Sequence, residues 1–314
     1  MESAGHPVNP QGRSPTPRRY ISVDPARRAL LFINVRSGGG KAQRAKLADI
    51  ARSRGIEPVT LARGDGLEAS IREVVPGADA VGVAGGDGSL APVASVAAAR
   101  RIPFVCVPAG TRNHFARDVG LAPNDLVGAL DAFGAALERT IDLGFVNGRP
   151  FLNNVSLGIY GDAVRRTGYR DAKLRTLLET AQDEMRGAGP APADLHLADD
   201  RGRQYRSPAL VLVSNNPYAF ERPPGRGARP TLDGGRLGIV LIDAPGGPLH
   251  RAGRAWSARS LTVEASATLP AGVDGETAML TPPLHFTIQR RALRVRIAPR
   301  HAPRPGSLGH EPAA

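Results

Sequence analysis

The sequence predicts an α/β fold for the first half of the chain and a mainly antiparallel β fold for the second half. From Ala29 onward, apolar strands alternate with helices, which is the pattern of a parallel sheet covered on both faces. After about Asp142, the apolar residues recur with a period of two, as in half-buried strands separated by Gly/Pro turns. With 314 residues, of which 41% are hydrophobic, the chain is long enough for about two domains with apolar cores.

The first half repeats a unit of strand, glycine-rich turn and helix. Its first strand, residues 30–35, is short and apolar except for Asn34, as expected when helices cover both faces of a sheet. The elements predicted after it are a helix ending near residue 54, a strand at 58–61, a helix at 67–75, a strand at 80–84, a helix at 92–100 and a strand at 104–107.

The second half is predicted to contain short strands and one inserted helix. The helix is expected at residues 171–186, where apolar residues follow helical spacing. The strands are expected at 195–197, 210–213, 237–242, 261–265, 285–288 and 293–297.

These patterns divide the chain into an α/β domain at residues 27–143 and a β-rich domain at residues 144–298. The two ends, residues 1–26 and 299–314, contain many prolines and few apolar residues. Such segments cannot bury enough apolar area to offset the entropy of ordering. We therefore predict that both ends are disordered tails.

Composition excludes several classes of protein. The excess of 41 Lys+Arg over 29 Asp+Glu gives a net charge of +12, but no nucleic-acid recognition motif accompanies it, and 4% aromatic residues offer few stacking platforms. The single cysteine, Cys106, excludes a disulfide scaffold and a Cys-based zinc site. No apolar stretch approaches the roughly 18 residues of a membrane span, and no signal peptide is visible. A cytoplasmic protein without a nucleic-acid partner is expected.

Three glycine-rich loops directly follow three strands of the predicted sheet. They are residues 36–41, 85–89 and 110–113. The carboxyl ends of parallel strands lie at one edge of a sheet, where such sheets bind ligands. Glycines let backbone N–H groups approach an anion closely, and helix N-termini favour negative charge. The sequence therefore predicts a phosphate-binding site built from these loops.

The two common phosphate-binding fingerprints do not fit the first loop. Residues 38–43 read Gly-Gly-Gly-Lys-Ala-Gln, which does not match the dinucleotide pattern G-x-G-x-x-G. A Walker A loop needs Ser or Thr after its lysine, and this chain has Ala42 there. Another kind of phosphate-binding protein is indicated.

Four segments in a fixed order carry a more specific pattern. Residues 34–41, Asn-Val-Arg-Ser-Gly-Gly-Gly-Lys, are similar to N-P-x-S-G-x-G-K, and residues 85–89, Gly-Gly-Asp-Gly-Ser, are similar to G-G-D-G-T. Residues 108–116 are similar to P-x-G-T-x-N-D-F-A, and Asp-Gly-Glu at 274–276 is similar to a late D-G-E. Together they resemble the diacylglycerol kinase catalytic-domain family, in its bacterial soluble lipid kinase form. The likeness runs from about residue 30 to residue 299.

The resemblance implies a Rossmann-like parallel-sheet nucleotide-binding domain, an antiparallel β-sandwich-like second domain and a Mg-ATP site between them. Asp274 would be the general base, with Glu276 of the same motif as a second catalytic residue, and Asp87 would lie near the magnesium. A base is needed because a lipid hydroxyl is a poor nucleophile until a carboxylate accepts its proton. The ATP-binding residues implied are Asn34, Ser37, Gly38, Gly40, Lys41, Gly85, Gly86, Asp87, Gly88, Ser89, Gly110, Thr111 and Asn113.

The chain departs from the family pattern at four places. Residues 90–92, Leu-Ala-Pro, lack the Asn-Glu pair that many members of the family carry after the second glycine-rich loop. Ser89 replaces the usual Thr and keeps the hydroxyl. His114 stands where Asp is common, which removes one carboxylate from the neighbourhood of the magnesium. The family's Asp-Gly-x-Leu metal motif is approximated by residues 232–237, from which Asp233 is assigned as a metal ligand together with Asp87.

The sequence thus predicts an ATP- and Mg²⁺-dependent kinase for the hydroxyl of a membrane lipid, with the conversion of diacylglycerol to phosphatidic acid as the leading candidate. Such an enzyme would contact the membrane surface peripherally, assisted by the net positive charge. Two alternatives remain. A NAD kinase-like enzyme is disfavoured by the form of residues 110–116, and a nucleotide-binding regulatory protein without turnover is favoured by His114 and the incomplete match around Asp233. The sequence leaves a homodimer and the identity of the lipid open.

Overall fold

The structure is a computed structural model that describes residues 20–61, 67–158, 194–206, 208–219, 229–243 and 254–302. Within these ranges the chain forms two β-sheets flanked by short helices. The helices are α1 (Lys41–Arg44), α2 (Leu47–Ser53), α3 (Leu67–Val74), α4 (Asp87–Arg100), α5 (His114–Asp118) and α6 (Leu126–Ala129), with 3-10 turns at Ser37–Gly39, Leu130–Phe133 and Pro299–His301. The strands are β1 (Ile21–Val23), β2 (Ala29–Ile33), β3 (Ile56–Thr60), β4 (Ala80–Gly85), β5 (Phe104–Pro108), β6 (Ala136–Val146), β7 (Arg149–Phe151), β8 (Asn154–Leu157), β9 (His196–Asp199), β10 (Gln204–Arg206), β11 (Pro208–Asn215), β12 (Leu237–Asp243), β13 (Arg254–Ala258), β14 (Ser260–Glu264), β15 (Leu269–Val273), β16 (Glu276–Leu280) and β17 (Leu284–Ile297).

The larger sheet contains the predicted parallel core. Strands β5, β4, β2 and β3 lie side by side and run parallel. On β2, Leu30 and Phe32 belong to one apolar cluster, whereas Leu31 and Ile33 belong to another on the opposite face. The strand is apolar at every position because helices α3 and α4 cover one face and α1, α2 and α6 cover the other. We call these strands and helices the α/β lobe.

The smaller sheet is antiparallel, with the strand order β13-β12-β11-β8-β15-β16. Its apolar face packs on the outer part of the larger sheet, β9, β14 and the first half of β17, through a shared buried cluster. The central side chains of this cluster include Val155 and Val213 from the small sheet and Leu197, Leu261 and Phe286 from the large one. We call this sandwich the β lobe. The two-part fold class predicted from the sequence is confirmed.

The predicted boundary between residues 143 and 144 falls inside a strand. Strand β6 runs through it, and β17 pairs antiparallel with β6 along most of its length. At its end, β17 also pairs parallel with β5, so Val295 and Arg296 lie beside Phe104 and Val105. The last strand of the chain therefore completes the sheet of the α/β lobe. Period-two patterning located this strand but did not reveal its partners.

The predicted tails are partly ordered. Ile21–Val23 forms β1 on the edge of β6, and the hydroxyl of Tyr20 donates to the carbonyl of Val119 at 2.9 Å. At the other end, Arg300 pairs with Asp131, and the Nε2 of His301 lies 3.0 Å from a carboxylate oxygen of Asp125. Backbone pairing, side-chain hydrogen bonds and ion pairs hold these segments, and Tyr20 and Ala26 also pack against the apolar core. Residues 1–19 and 303–314 lie outside the described residues.

Several element boundaries also differ from the prediction. Helix α4 begins at Asp87, five residues before the predicted start at Pro92, so the second glycine-rich loop forms the first turn of the helix. The predicted helix ending near residue 54 is split into α1 and α2, because Lys46 adopts φ +48°. The two predicted strands after residue 284 form one strand, β17. Eight strands were not predicted, namely β1, β6, β7, β8, β10, β13, β15 and β16. The predicted helix at 171–186 lies outside the described residues.

Among the residues that the structure describes, no helix combines the length and apolar character that crossing a membrane requires.

Candidate active site

The three glycine-rich loops meet at one edge of the sheet, because they follow the adjacent strands β2, β4 and β5. Side chains of the first loop bond to the second. The Oγ of Ser37 accepts from the N–H of Gly86 at 3.2 Å, and the amide of Asn34 donates to the Oγ of Ser89 at 2.8 Å. The predicted convergence of the loops is thus observed, and the first turn of α4 lies at its centre.

The second and third loops approach too closely for any side chain. A Cβ on Gly110 would lie 2.4 Å from the Cα of Gly86 and 2.7 Å from the Oδ1 of Asn113. Contacts below 3.0 Å to backbone do not occur for real Cβ atoms, so only glycine permits this approach. Two backbones are therefore available side by side where an anion would bind.

A cavity of about 410 Å³ opens between these loops and the β lobe, and we call it the interlobe cavity. Its volume falls in the range of about 300 to 1,000 Å³ that small-molecule sites have. Eleven predicted site residues line it: Asn34, Ser37, Gly38, Gly86, Asp87, Gly88, Ser89, Gly110, Thr111, Asp274 and Glu276.

Four predicted ATP-binding residues do not line the cavity: Gly40, Lys41, Gly85 and Asn113. Two of them support the loops instead. The Nζ of Lys41 donates to the carbonyl of Gly110 at 3.0 Å, which ties the first loop to the third. The buried amide of Asn113 donates to the carbonyls of Pro108, Gly110 and Pro123, which fixes the shape of the third loop.

Asp274 reaches the cavity from the β lobe. It occupies a two-residue hairpin turn between β15 and β16, with φ +49° followed by +90° at Gly275, as in a type I′ turn. Its carboxylate accepts the backbone N–H groups of Leu152, Asn153 and Asn154 at 2.7, 2.7 and 3.1 Å. Burial raises the pKa of Asp274 to about 7, although these N–H groups act in the opposite direction. The carboxyl group can therefore exchange a proton near neutral pH.

Asp87 joins three parts of the site. His114 and Phe115 are the first residues of α5, and their backbone N–H groups donate to the carboxylate of Asp87 at 3.1 and 3.0 Å. It also accepts the side-chain amide of Asn153 from the β lobe at 3.0 Å. Three of the roughly four acceptor positions of a carboxylate are thus occupied. Asp87 acts first as a connector between α4, α5 and the β lobe.

Glu276 lies against the first turn of α4. A Cβ placed on Gly88 would lie 2.4 to 2.5 Å from the side chain of Glu276, so the carboxyl-bearing chain rests on the glycine. Glu276 is itself exposed and lines the cavity. The absence of a side chain at Gly88 therefore leaves room for the side chain of Glu276 from the β lobe.

His114 is half-buried and faces the same cavity. Burial lowers the pKa of its imidazole, and the opposing attraction of Asp87 does not reverse this. Within the described part of the chain, its Nε2 is a buried atom without a hydrogen-bond partner. The imidazole is therefore uncharged at neutral pH, whereas the Asp that is common at this position of the family pattern would carry a negative charge.

The donor set of the cavity fits a magnesium ion that arrives with phosphates. The carboxylates of Asp87, Asp274 and Glu276 line the cavity, and oxygen ligands are those that Mg²⁺ prefers. Among the described residues no three acidic, His or Cys side chains form a metal cage, but Mg²⁺ usually binds one or two carboxylates together with substrate phosphates.

Asp233, the second predicted metal ligand, does not line the interlobe cavity. It is exposed, and the turn after it is held by other groups. The N–H of Gly234 donates to the Oδ1 of Asn216 at 2.8 Å, and the N–H of Gly235 donates to Asp142 at 2.6 Å. The structure thus does not bring Asp233 together with Asp87.

Sequence reasoning missed four residues that line the cavity. Asn153 and Asn154 lie outside the four sequence motifs, yet both line the cavity and Asn153 contacts both Asp87 and Asp274. Arg36 and Arg112 line the cavity on the side of the α/β lobe and bring positive charge to it. Both arginines lie inside the glycine-rich loops, next to the glycines and hydroxyl residues that were assigned to the site. Their place in these loops could therefore have predicted that they line the cavity.

Residues 28–146 match the model of the family described as "Diacylglycerol kinase catalytic domain". This segment, which is less than half of the chain, is similar to the catalytic domain of that family. A diacylglycerol kinase of Mycobacterium tuberculosis is 39% identical over 116 residues, which are 35% of this chain and 38% of the relative. A diacylglycerol kinase of Bacillus subtilis is 30% identical over 172 residues, 52% of this chain and 55% of the relative. The matches thus span about half or less of these relatives.

The fold is shared more widely than the sequence. A structure titled as a putative diacylglycerol kinase from Bacillus anthracis superposes with a TM-score of 0.64 at 20% identity, over 88% of this chain and 99% of the other. The likeness covers both lobes, whereas the family model covers the α/β lobe and all of β6. The segment that matches the family model therefore contains Asp87 and the glycine-rich loops, and Asp274 lies outside it.

Proposed function

We propose that this protein is an ATP- and Mg²⁺-dependent kinase that phosphorylates a lipid hydroxyl, with diacylglycerol as the first substrate to test and phosphatidic acid as its product. The observation that carries the proposal is the interlobe cavity. It is lined by three strand-end loops from one lobe and by the Asp274–Glu276 turn from the other. A phosphate donor and an acceptor with a hydroxyl group can thus meet between them.

The loops and the first turn of α4 would hold the triphosphate. The positive end of a helix dipole favours an anion, and α4 spans fourteen residues with its N-terminus at the cavity. Arg36 and Arg112 add two positive charges, but the cavity also contains three carboxylates. Because the acids outnumber the arginines, a triphosphate needs a further cation. Bound magnesium would neutralise charge on the phosphates, held through cavity carboxylates such as Asp87.

Asp274 would accept the proton of the lipid hydroxyl. Three of the acceptor positions on its carboxylate are filled by backbone N–H groups, so one remains for the substrate. As the proton moves to Asp274, the hydroxyl oxygen bonds to the γ-phosphorus, the bond to the bridging oxygen breaks and ADP leaves. A pKa of about 7 suits a general base at neutral pH. Glu276 would line the path of the incoming hydroxyl beside it.

A lipid substrate requires contact with a bilayer surface. The net charge of +12 favours attraction to anionic headgroups, which supports peripheral binding in the cytoplasm. Vesicle sedimentation at low and high salt measures this contribution, because electrostatic attraction weakens as salt rises.

The test of the proposal is transfer of labelled γ-phosphate by purified protein. The acceptors are vesicles containing diacylglycerol, a total bacterial lipid extract, and NAD in separate reactions with MgCl₂. Labelled phosphatidic acid that disappears in Asp274→Asn supports the proposal. Label on another lipid changes the substrate but keeps the reaction, and label on NAD overturns it in favour of the alternative kinase.

A regulatory protein would give a different result. It would bind ATP in equilibrium dialysis and transfer no label to any lipid in the extract. Under those conditions the kinase proposal is wrong.

A further inference from the structure

A buried arginine, Arg229, lies behind the site and does not line the cavity. Its side chain is 0% exposed, and it is the largest fully buried side chain in the described part of the chain. Arginine is almost never fully buried unless it is paired. The hydrogen-bond partners of the Arg229 guanidinium therefore show which groups it holds in position.

All three nitrogens of the guanidinium are engaged. The Nε donates to the Oδ2 of Asp118 at 2.8 Å, and the Nη2 lies 2.7 Å from the same oxygen. The Nη2 also donates to the Oδ1 of Asn153 at 2.8 Å. The Nη1 donates to the carbonyls of Leu152, Asn153 and Asn215. The guanidinium offers five N–H donors in a rigid plane, and this arrangement uses the whole fork.

These bonds fix the orientation of the Asn153 amide. Because the Oδ1 faces Arg229, the Nδ2 must face the opposite way, and it donates to Asp87 at 3.0 Å. With the amide reversed, its NH₂ would face the guanidinium and its oxygen would face a carboxylate. Arg229 thus imposes the one orientation in which Asn153 binds Asp87.

The same guanidinium fixes the backbone that holds Asp274. The carbonyls of Leu152 and Asn153 point to Arg229, so the N–H groups of Asn153 and Asn154, which share their peptide planes, point the opposite way, to the carboxylate of Asp274. The partner Asp118 belongs to the last turn of α5, whose first N–H groups are held by Asp87. One side chain therefore connects to two of the three carboxylates of the cavity, Asp87 and Asp274, each through a single intermediate.

We propose that Arg229 is a positioning residue of the phosphoryl-transfer site, which sets Asp87 and Asp274 relative to each other through Asn153 and the backbone at 152–154. The inference rests on the proposed function for its kinetic consequence. Its structural consequence, the protection of the amides that bind Asp274, is independent of any activity.

The test variant is Arg229→Lys. The lysine ammonium keeps a positive charge beside Asp118, so no buried acid is left unpaired. It cannot, however, reproduce the planar set of hydrogen bonds that the guanidinium donates to Asn153 and to the backbone. Arg296→Lys is the matched control, because Arg296 is also buried and pairs with an acid, Glu138, at 3.1 Å. Asp118→Asn is a second variant, which keeps an acceptor oxygen for Arg229.

The first measurement is hydrogen exchange of the backbone amides by NMR. In Arg229→Lys, the amides of residues 152–154 should exchange at least about tenfold faster, while those of β4 stay unchanged. Arg296→Lys should leave the amides at 152–154 as in the wild type, and Asp118→Asn should accelerate them to a smaller extent. If Arg229→Lys does not fold, Asp118→Asn decides, and unchanged protection in the folded variant overturns the proposal.

The second measurement is a double-mutant cycle on lipid phosphorylation. Arg229→Lys should lower kcat by at least about tenfold and change the KM for ATP by less than about threefold, because misplacement of reacting groups acts on the rate. Adding Asn153→Ala to Arg229→Lys should cost little more than the larger single loss, since one residue acts through the other. Fully additive losses overturn the proposed route through Asn153. Absent transfer in the wild type overturns the proposed function, and the exchange experiment still decides the positioning role.

Discussion

The side-chain amide of Asn153 donates to the carboxylate of Asp87 at 3.0 Å and so links the β lobe to helix α4. Asp87 otherwise binds only backbone N–H groups of α5 among the hydrogen bonds described for its side chain. The link therefore crosses the cavity wall at the point where the two lobes must stay in register. Asn153, which lies outside the four sequence motifs, is thus one of the residues that define the site.

Asn153→Ala removes this link and also the acceptor for Arg229. We expect kcat for lipid phosphorylation to fall by at least about tenfold, because Asp87 and Asp274 lose a common support. The free energy of unfolding should fall by about 1 to 3 kcal/mol, since the buried Nη2 of Arg229 loses the Oδ1 of Asn153 as an acceptor. Denaturant unfolding and labelled-phosphate transfer measure the two effects.

Asn147→Ala is the control for that variant. Asn147 donates to the carbonyls of Thr281 and Pro283 and accepts from the N–H of His285, and it does not line the cavity. A measurable loss of stability with unchanged kcat is expected. Equal losses of kcat in both asparagine variants would contradict a specific role for Asn153.

The pH dependence of the reaction should follow Asp274. Burial raises the pKa of this carboxyl group to about 7, and only the ionised form can accept a proton from the substrate. We expect kcat/KM to fall by about tenfold for each pH unit below about 7 and to level off above it. Initial rates between pH 5.5 and 9 measure the profile. A rate that stays constant from pH 8 down to pH 6 argues against Asp274 as the base.

The same carboxyl group should also make stability depend on pH. In the folded state it keeps its proton up to about pH 7, whereas in the unfolded chain it loses the proton near the ordinary aspartate pKa of 3.8. The unfolded state therefore binds fewer protons between these values, so the wild type loses stability as pH rises through this window. The full effect is on the order of 4 kcal/mol at 1.36 kcal/mol per pKa unit.

The comparison that isolates this effect uses Asp274→Asn, which cannot ionise. The difference in the free energy of unfolding between variant and wild type should shift in favour of the variant from about pH 4 to pH 7 and then stay constant. Urea unfolding at a series of pH values gives this difference. A difference that does not change with pH would show that the carboxyl group ionises normally.

Gly88→Ala should displace Glu276. The new Cβ would lie 2.4 to 2.5 Å from that side chain, which is exposed at its end and can move away. Alanine is the better helix former by about 1 kcal/mol, so stability should stay near the wild-type value. Lipid phosphorylation should fall as Glu276 leaves its place. Combining Gly88→Ala with Glu276→Ala should give no further loss, and an additive loss would mean that Gly88 acts independently, for instance on the phosphates.

The sequence was sufficient for the local parts of the site. Glycine-rich segments after β2, β4 and β5 had to meet once those strands were parallel neighbours, and Asp-Gly at 274–275 forms the hairpin turn that its type favours. The start of α4 was predicted too late because Gly-Gly-Asp-Gly resembles a loop. Its helical turn depends on Asp87 bonding to α5, which is a tertiary contact.

The long-range parts could not be predicted from local patterns. Arg229 meets Asp118 across 111 residues and Asn153 across 76, and an arginine among prolines and glycines is ordinarily a solvated residue. The pairing of β17 with both β6 and β5 is equally distant in sequence. Alternation of apolar residues identifies a strand and its buried face, and it contains no information about which strand lies beside it.

Strand β17 runs through both lobes, next to β14 at one end and next to β5 at the other. Among the described residues, the α/β and β lobes are consequently joined by a hydrogen-bonded ladder. A rotation of one lobe away from the other would therefore bend β17 and β6 together. The interrupted register between Gln289 and Leu293 is where such bending breaks the fewest hydrogen bonds.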